Sequence, residues 1–237
     1  MTNRGGDKPK CKDKSTIFIN YKNQNKMITA TNTGGGDHTP VAAGTYPARC
    51  FSMIHIGTIE ENIMGETKWL NKVRITWELP TETKVFNEEK GEQPFVISKE
   101  FTLSMNEKAN LRKFLEGWRG KGFSDDEAKA FDITALLGKP CMLSVIHKTS
   151  KKGNLFAEIS SCSAMPKGFT CPPQINDTLE LNYTDHWSNI EFSKLPQFIK
   201  DKMTGSKEFR AMMNPQEVEA PSETENLSHQ TADDLPF

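Results

Sequence analysis

The stretch Lys68-Trp69-Leu70-Asn71-Lys72-Val73-Arg74-Ile75-Thr76-Trp77-Glu78-Leu79 decides the fold class of this chain. Its residues alternate between a mostly apolar side and a mostly polar side. One side carries Trp69, Asn71, Val73, Ile75, Trp77 and Leu79, and the other carries Lys68, Leu70, Lys72, Arg74, Thr76 and Glu78. A period of two is typical of a β-strand with one buried face. The sequence therefore predicts a half-buried strand, and Trp77 is expected in the core.

Strand patterns also occur on both sides of this stretch. Gly44 to Ile56 precedes it with a mixture of aromatic and β-branched residues. After it, Pro80 to Pro94 is predicted to be a polar loop, and a third strand follows with its core side formed by Phe95, Ile97, Phe101 and Leu103.

The period then changes to that of a helix. The apolar residues Leu111, Phe114, Leu115 and Trp118 form one stripe. Ser104 and Glu107 have the spacing of a capping box at the start of this helix, and Ser124 and Glu127 repeat that spacing before a second, short helix. Two further strands are predicted at Pro140–His147 and Leu155–Ser163.

The predicted order is three strands, a helical insert and two strands. It is the order of the OB-fold, a five-stranded Greek-key barrel with a helix between its third and fourth strands. The expected fold is mainly β with a helical insert. The barrel spans residues 41–168, between a basic arm with a β-hairpin at 1–40 and a helical appendix at 169–213. A disordered acidic tail follows at 214–237.

Charge is distributed unevenly along the 237 residues, although the net charge is only −1. Residues 1–26 carry seven basic and two acidic side chains, and residues 214–237 carry six acidic and no basic ones. A basic arm and an acidic tail on a neutral body suit a nucleic-acid binder whose tail screens its own binding surface. Two solubilising ends are the alternative explanation.

The remaining composition narrows the class of protein. The five cysteines include no CxxC pair, which disfavours a zinc site and a disulfide framework and favours a reducing cytoplasm. The sequence contains no run of about 18 apolar residues, so it predicts no membrane-spanning helix. The histidines are scattered, and no phosphate-binding loop or nucleophile motif occurs. We therefore expect no catalytic residues, no metal and no cofactor.

OB-folds bind single strands with a basic groove and with aromatic side chains that stack on bases. The expected DNA-binding residues are basic and aromatic residues of the first three strands and lysines at the hairpin between the last two strands: Arg49, Phe51, Lys68, Trp69, Lys72, Arg74, Lys99, Lys148, Lys151 and Lys152. For the basic residues, a solvated sheet face is the alternative interpretation. For Phe51 and Trp69, the alternative is a place in the core.

The chain ends in Asp233-Asp234-Leu235-Pro236-Phe237, an aromatic anchor behind two acids. This ending resembles the acidic tip of bacterial and phage single-stranded-DNA-binding proteins, and the resemblance is confined to these five residues and the composition of the tail. It implies a non-catalytic, sequence-independent DNA binder whose tip recruits replication, repair or recombination proteins. It also allows a homo-oligomer.

Three other interpretations stay open from the sequence. One is a phage protein-interaction module whose OB-like barrel binds a host protein instead of DNA. Another is a recombination mediator that anneals strands or loads a recombinase. The last is that the tail is only a solubilising segment. Few exposed aromatic side chains on the barrel would favour the interaction module.

Overall fold

The computed structural model describes residues 39–214. Its centre is an antiparallel sheet of five strands in the order β3-β2-β1-β4-β5. The strands are β1 (Gly44–Ile63), β2 (Glu66–Asn87), β3 (Gly91–Thr102), β4 (Pro140–Thr149) and β5 (Leu155–Ser163). The sheet curls until its two edge strands approach each other, and the Lys99 ammonium on β3 donates a hydrogen bond of 2.6 Å to the carbonyl oxygen of Ile159 on β5.

The main core fills the concave side of this sheet. Alternate residues of β2 lie there, as the period of two predicts: Val73, Ile75, Trp77 and Leu79 are all buried. They pack with residues of the other strands and of the helical insert, among them Cys50, Phe101, Leu111, Leu115, Trp118, Cys141, Leu143 and Val145.

The helical insert closes one end of the core. It consists of α1 (Asn110–Arg119), α2 (Asp125–Lys129) and a 3-10 helix at Ile133–Leu136. The apolar stripe of α1 is buried as predicted. At Gly117 the helix crosses β5 so closely that a Cβ atom would collide with the carbonyl oxygen of Cys162. A side chain at this position would therefore push α1 away from the sheet.

The C-terminal appendix packs on the opposite face of β1. It contains a short strand, β6 (Leu179–Leu181), parallel to β1, and three helices: α3 (Asn189–Lys194), α4 (Gln197–Thr204) and α5 (Lys207–Met213). A second apolar core joins the two parts and consists of Ile54, Ile56, Ile59, Leu181, Leu195, Ile199 and Met203. The strand β1 is therefore buried on both faces.

Several sequence predictions are confirmed and two are wrong. The mainly β class, the positions of the five strands and the capping box of Ser124 with Glu127 are confirmed. The polar loop predicted over Pro80 to Pro94 is wrong, because β2 continues to Asn87 and pairs with β3 beyond an irregularity after Leu79. The capping box at Ser104 is also wrong, since α1 begins six residues later, after Ala109, without a side-chain cap.

The predicted hairpin and basic arm before residue 39 lie outside the described residues, as does the predicted acidic tail beyond residue 214. Within residues 39–214, no helix is long and apolar enough to cross a bilayer.

Candidate nucleic-acid interface

A basic cleft of about 750 Å³ lies where β3 faces β5 and the start of α1. Four lysines line it: Lys72, Lys99, Lys108 and Lys113. Hydroxyl groups add further hydrogen-bonding capacity, because Thr102, Ser104 and Ser161 also line the cleft. The hydroxyl of Ser160, which lines it too, already donates a hydrogen bond to the carbonyl oxygen of Ser144. The arrangement suits an anion with several oxygen acceptors.

Lys108 and Lys113 are the two lysines of the cleft that remain available. Both are exposed, and neither forms an ion pair with any residue of the described range. The other two are already engaged, because Lys72 pairs with Glu61 at 2.7 Å and Lys99 bonds to Ile159. Lys108 and Lys113 therefore contribute most of the uncompensated positive charge.

Of the described residues that line the cleft, Glu100 is the one acid. Its carboxylate accepts hydrogen bonds from Arg74 at 3.0 Å and from Lys202 of α4 at 2.6 Å. Burial alone would raise the pKa of Glu100, but the hydrogen bond and charge of Lys202 and the charge of Arg74 outweigh it and hold the pKa below its usual value. Two cations therefore neutralise the single negative charge of the cleft.

A second, more apolar groove of about 450 Å³ lies along β3 next to the basic cleft. Arg74 lines it together with Phe86, Phe95, Val96 and Ser98. Phe86 is 50% exposed, and its ring meets that of Phe95 edge to face at 5.1 Å between centroids. Because Arg74 is bonded to Glu100, the basic cleft and this aromatic groove meet at one ion pair.

Arg49 has a structural role. Its guanidinium donates hydrogen bonds to the carbonyl oxygens of Gly138, Cys171 and Pro172 at 2.7–3.1 Å. Glu78, directly opposite on β2, is fully buried and accepts hydrogen bonds from the backbone amides of Ile175 and Asn176. The two residues hold the chain that leads from β5 to β6, and these contacts leave Arg49 little capacity for phosphate.

Besides Arg74, three of the expected basic residues are ion-paired at the sheet surface. Lys68 contacts Glu66 at 2.9 Å and Lys148 contacts Glu158 at 2.8 Å, and both lysine side chains are about half exposed. Lys72 is much less accessible, at 13% of its side-chain surface. The alternating row Lys68, Lys72, Arg74 is thus not a free basic face.

The remaining expected residues lie at three places outside the cleft. Lys151 and Lys152 are exposed in the turn between β4 and β5 and have no ion-pair partner among the described residues. Trp69 is 42% exposed, and the ammonium of Lys207 lies 4.5 Å from its ring centroid. Phe51 is half-buried. The structure therefore brings together only Lys72, Arg74 and Lys99 of the expected set.

The sequence prediction missed Lys108, Lys113, Phe86 and Phe198. Lys113 lies on the polar side of the α1 stripe, and Phe86 lies in the segment that was predicted to be a loop. In the described residues, no group of three or more His, Cys, Asp or Glu is placed to hold a metal ion. The buried thiols of Cys50 and Cys141 have raised pKa values because burial disfavours the thiolate.

Comparison with protein-family models, with curated proteins and with solved structures finds no match to this chain.

Proposed function

We propose that this protein binds single-stranded DNA without sequence preference and without catalysis, as part of DNA replication, repair or recombination. The observation that carries the proposal is the basic cleft between β3, β5 and α1. It combines four lysines with one acid, and that acid is already neutralised by Arg74 and Lys202. A groove with this charge balance attracts a polyanion.

The strand order supports the finer assignment of an OB-fold. β1 pairs with both β2 and β4, and the helical insert lies between β3 and β4. The edge strands β3 and β5 face each other, as the closing pair of a five-stranded barrel would. We therefore propose a partly open OB barrel whose closing seam carries the binding cleft.

The mechanism is electrostatic. Lys108 and Lys113 would contact phosphate oxygens and release the cations condensed on the strand, which favours binding most at low salt. Serine and threonine hydroxyls of the cleft would donate hydrogen bonds to the same oxygens. Lys151 and Lys152, exposed at the β4–β5 turn, would extend the contact along the strand. None of these contacts distinguishes one base from another.

Exposed aromatic side chains on the strands support DNA binding over a purely protein-binding barrel. Trp69, Phe86 and Phe156 are each 41–50% exposed. Such rings can stack on bases of any identity. The acidic tip Asp233–Phe237 would then serve as the separate site for partner proteins, an apolar anchor for a pocket with a basic rim.

The test is a fluorescence-anisotropy titration of a labelled oligo-dT of about 30 nucleotides at two salt concentrations, with a duplex of equal length as the control. We expect tight binding of the oligo-dT at low salt, a steep loss at high salt and weaker binding of the duplex. An absence of binding to oligo-dT at low salt would overturn the proposal and leave the protein-interaction module in its place.

A further inference from the structure

The appendix places an exposed aromatic ring beside the groove. Phe198, on α4, is 51% exposed and belongs to neither apolar core, whereas its neighbour Ile199 is buried against the sheet. The guanidinium of Arg74 lies 5.3 Å from the centroid of the Phe198 ring. A half-exposed ring on a helix that is anchored by other residues is available to a ligand.

Arg74 connects this ring to the aromatic groove. Its side chain lines the groove that also contains Phe86 and Val96, and it contacts Phe198. Arg74 itself is fixed by the carboxylate of Glu100, which also binds Lys202 on the same helix as Phe198. The sheet and the appendix thus fix one cation that contacts the half-exposed ring of Phe198 and lines the same groove as the half-exposed ring of Phe86.

We propose that this composite surface of Phe86, Arg74 and Phe198 is the base-binding part of the interface, and that the appendix is a component of the DNA site. The inference rests on the proposed function. Bases of a strand whose phosphates occupy the basic cleft would stack on the two rings and on the planar guanidinium. The continuity of the cleft and groove at the Arg74–Glu100 pair places bases and phosphates of one strand within reach of both.

The distance along β3 from the aromatic groove to the basic cleft is long enough for separate base and phosphate contacts. Phe95, in the groove, and Phe101, in the cleft, are six residues apart on β3. At about 3.3 Å per residue this corresponds to about 20 Å. A span of that length accommodates a few nucleotides, toward the lower end of the site sizes known for a single barrel, about 4–16 nucleotides.

The experiment separates base contacts from phosphate contacts. Wild-type protein and the variants Phe198→Ala and Phe86→Ala are titrated with oligo-dT and with an abasic oligonucleotide of the same length and charge. We expect each variant to lose about 5- to 100-fold in affinity for oligo-dT and to keep its affinity for the abasic strand. Phe198→Trp should restore binding to oligo-dT, since it supplies a larger ring.

Phe169→Ala is the matched control, because Phe169 is 69% exposed and lines neither the cleft nor the groove. It should bind both strands like the wild type. Unchanged affinity of Phe198→Ala for oligo-dT, with an unchanged melting temperature, would remove the appendix from the site but leave the proposed function intact. Equal losses on both strands would also contradict base stacking. If the wild type binds neither strand, both the proposed function and this inference fail.

Discussion

The ammonium of Lys99 and the carbonyl oxygen of Ile159 form a hydrogen bond of 2.6 Å that joins the two edge strands of the sheet. Lys99 shares the inward side of β3 with Ile97 and Phe101, and its ammonium lies 5.9 Å from the ring centroids of Phe101 and Phe114. A charged group thus closes the seam at a position where the alternation along β3 would place an apolar residue. We therefore expect this contact to stabilise the seam and the cleft beside it.

Replacing Lys99 by Met tests the role of this bond in stability. The variant keeps most of the aliphatic stem but leaves the carbonyl oxygen of Ile159 without its donor. We expect the free energy of unfolding to fall by about 1–3 kcal/mol, measured by urea denaturation. Lys113→Met, at an exposed position without an ion pair among the described residues, is the control and should change stability by less than about 0.5 kcal/mol. Equal stability of the two variants would mean that the bond does not hold the seam.

The exposed and the ion-paired basic residues should respond differently to substitution. Lys151→Ala with Lys152→Ala should weaken binding to oligo-dT severalfold without lowering the melting temperature, since exposed charges contribute little to stability. Arg74→Ala should lower stability by about 1–3 kcal/mol, because it removes one of the two hydrogen-bond donors that hold the partly buried Glu100. Thermal melts and anisotropy titrations of both variants distinguish the two effects. A large fall in melting temperature for the turn variant would show instead that its lysines are structural.

The local residue patterns predicted the secondary structure of this protein, but they did not predict which side chains pair across neighbouring strands. The period of two over Lys68–Leu79 predicted β2 correctly because burial of one face imposes alternation. It could not show that Glu61 and Glu100 pair with Lys72 and Arg74, since strand pairing creates those contacts. Lys72 and Arg74 were expected on a free basic face, but the charges of both are therefore neutralised by these ion pairs.

The packing of the appendix on β1 was the larger omission. Its apolar residues predicted amphipathic helices, and three short helices are present. Ile54, Ile56 and Ile59 on β1 contain no signal that distinguishes burial against the appendix from exposure to a ligand. Long-range packing decides that outcome. Likewise, Pro80 and the polar residues after it gave the appearance of a loop, although β2 continues through them as one side of a long hairpin.

The ion pairs of Glu100 with Arg74 and Lys202 predict how the stability of the protein depends on pH. The pKa of Glu100 is lowered in the folded protein, so its contribution to stability is fully present above its unfolded pKa of about 4.5 and is lost as the pH falls through the lower folded value. We expect the difference in unfolding free energy between the wild type and Glu100→Gln to shrink as the pH falls from about 6 to about 3. A difference that stays constant over this range would show that the carboxylate charge contributes nothing.

Removal of residues 215–237 tests the acidic tail. The truncated protein should melt like the full chain, because the residues of both apolar cores precede the cut. It should bind oligo-dT more tightly at low salt, since the six acidic side chains of the tail no longer compete with phosphate. A second truncation that removes only Leu235, Pro236 and Phe237 should keep the DNA affinity of the full chain but lose capture of a replication or recombination partner. Identical behaviour of all three proteins would reduce the tail to a solubilising segment.

The most direct test of the central claim is the salt dependence of oligo-dT binding for the wild type and for the double variant Lys108→Ala with Lys113→Ala. Both lysines line the cleft and have no ion-pair partner among the described residues, so the variant should fold normally. Each lost phosphate contact should make the slope of log affinity against log salt shallower by about 0.7, or about 1.4 for the pair. A variant with the slope and affinity of the wild type would show that DNA, if it binds, does not occupy the cleft between β3, β5 and α1.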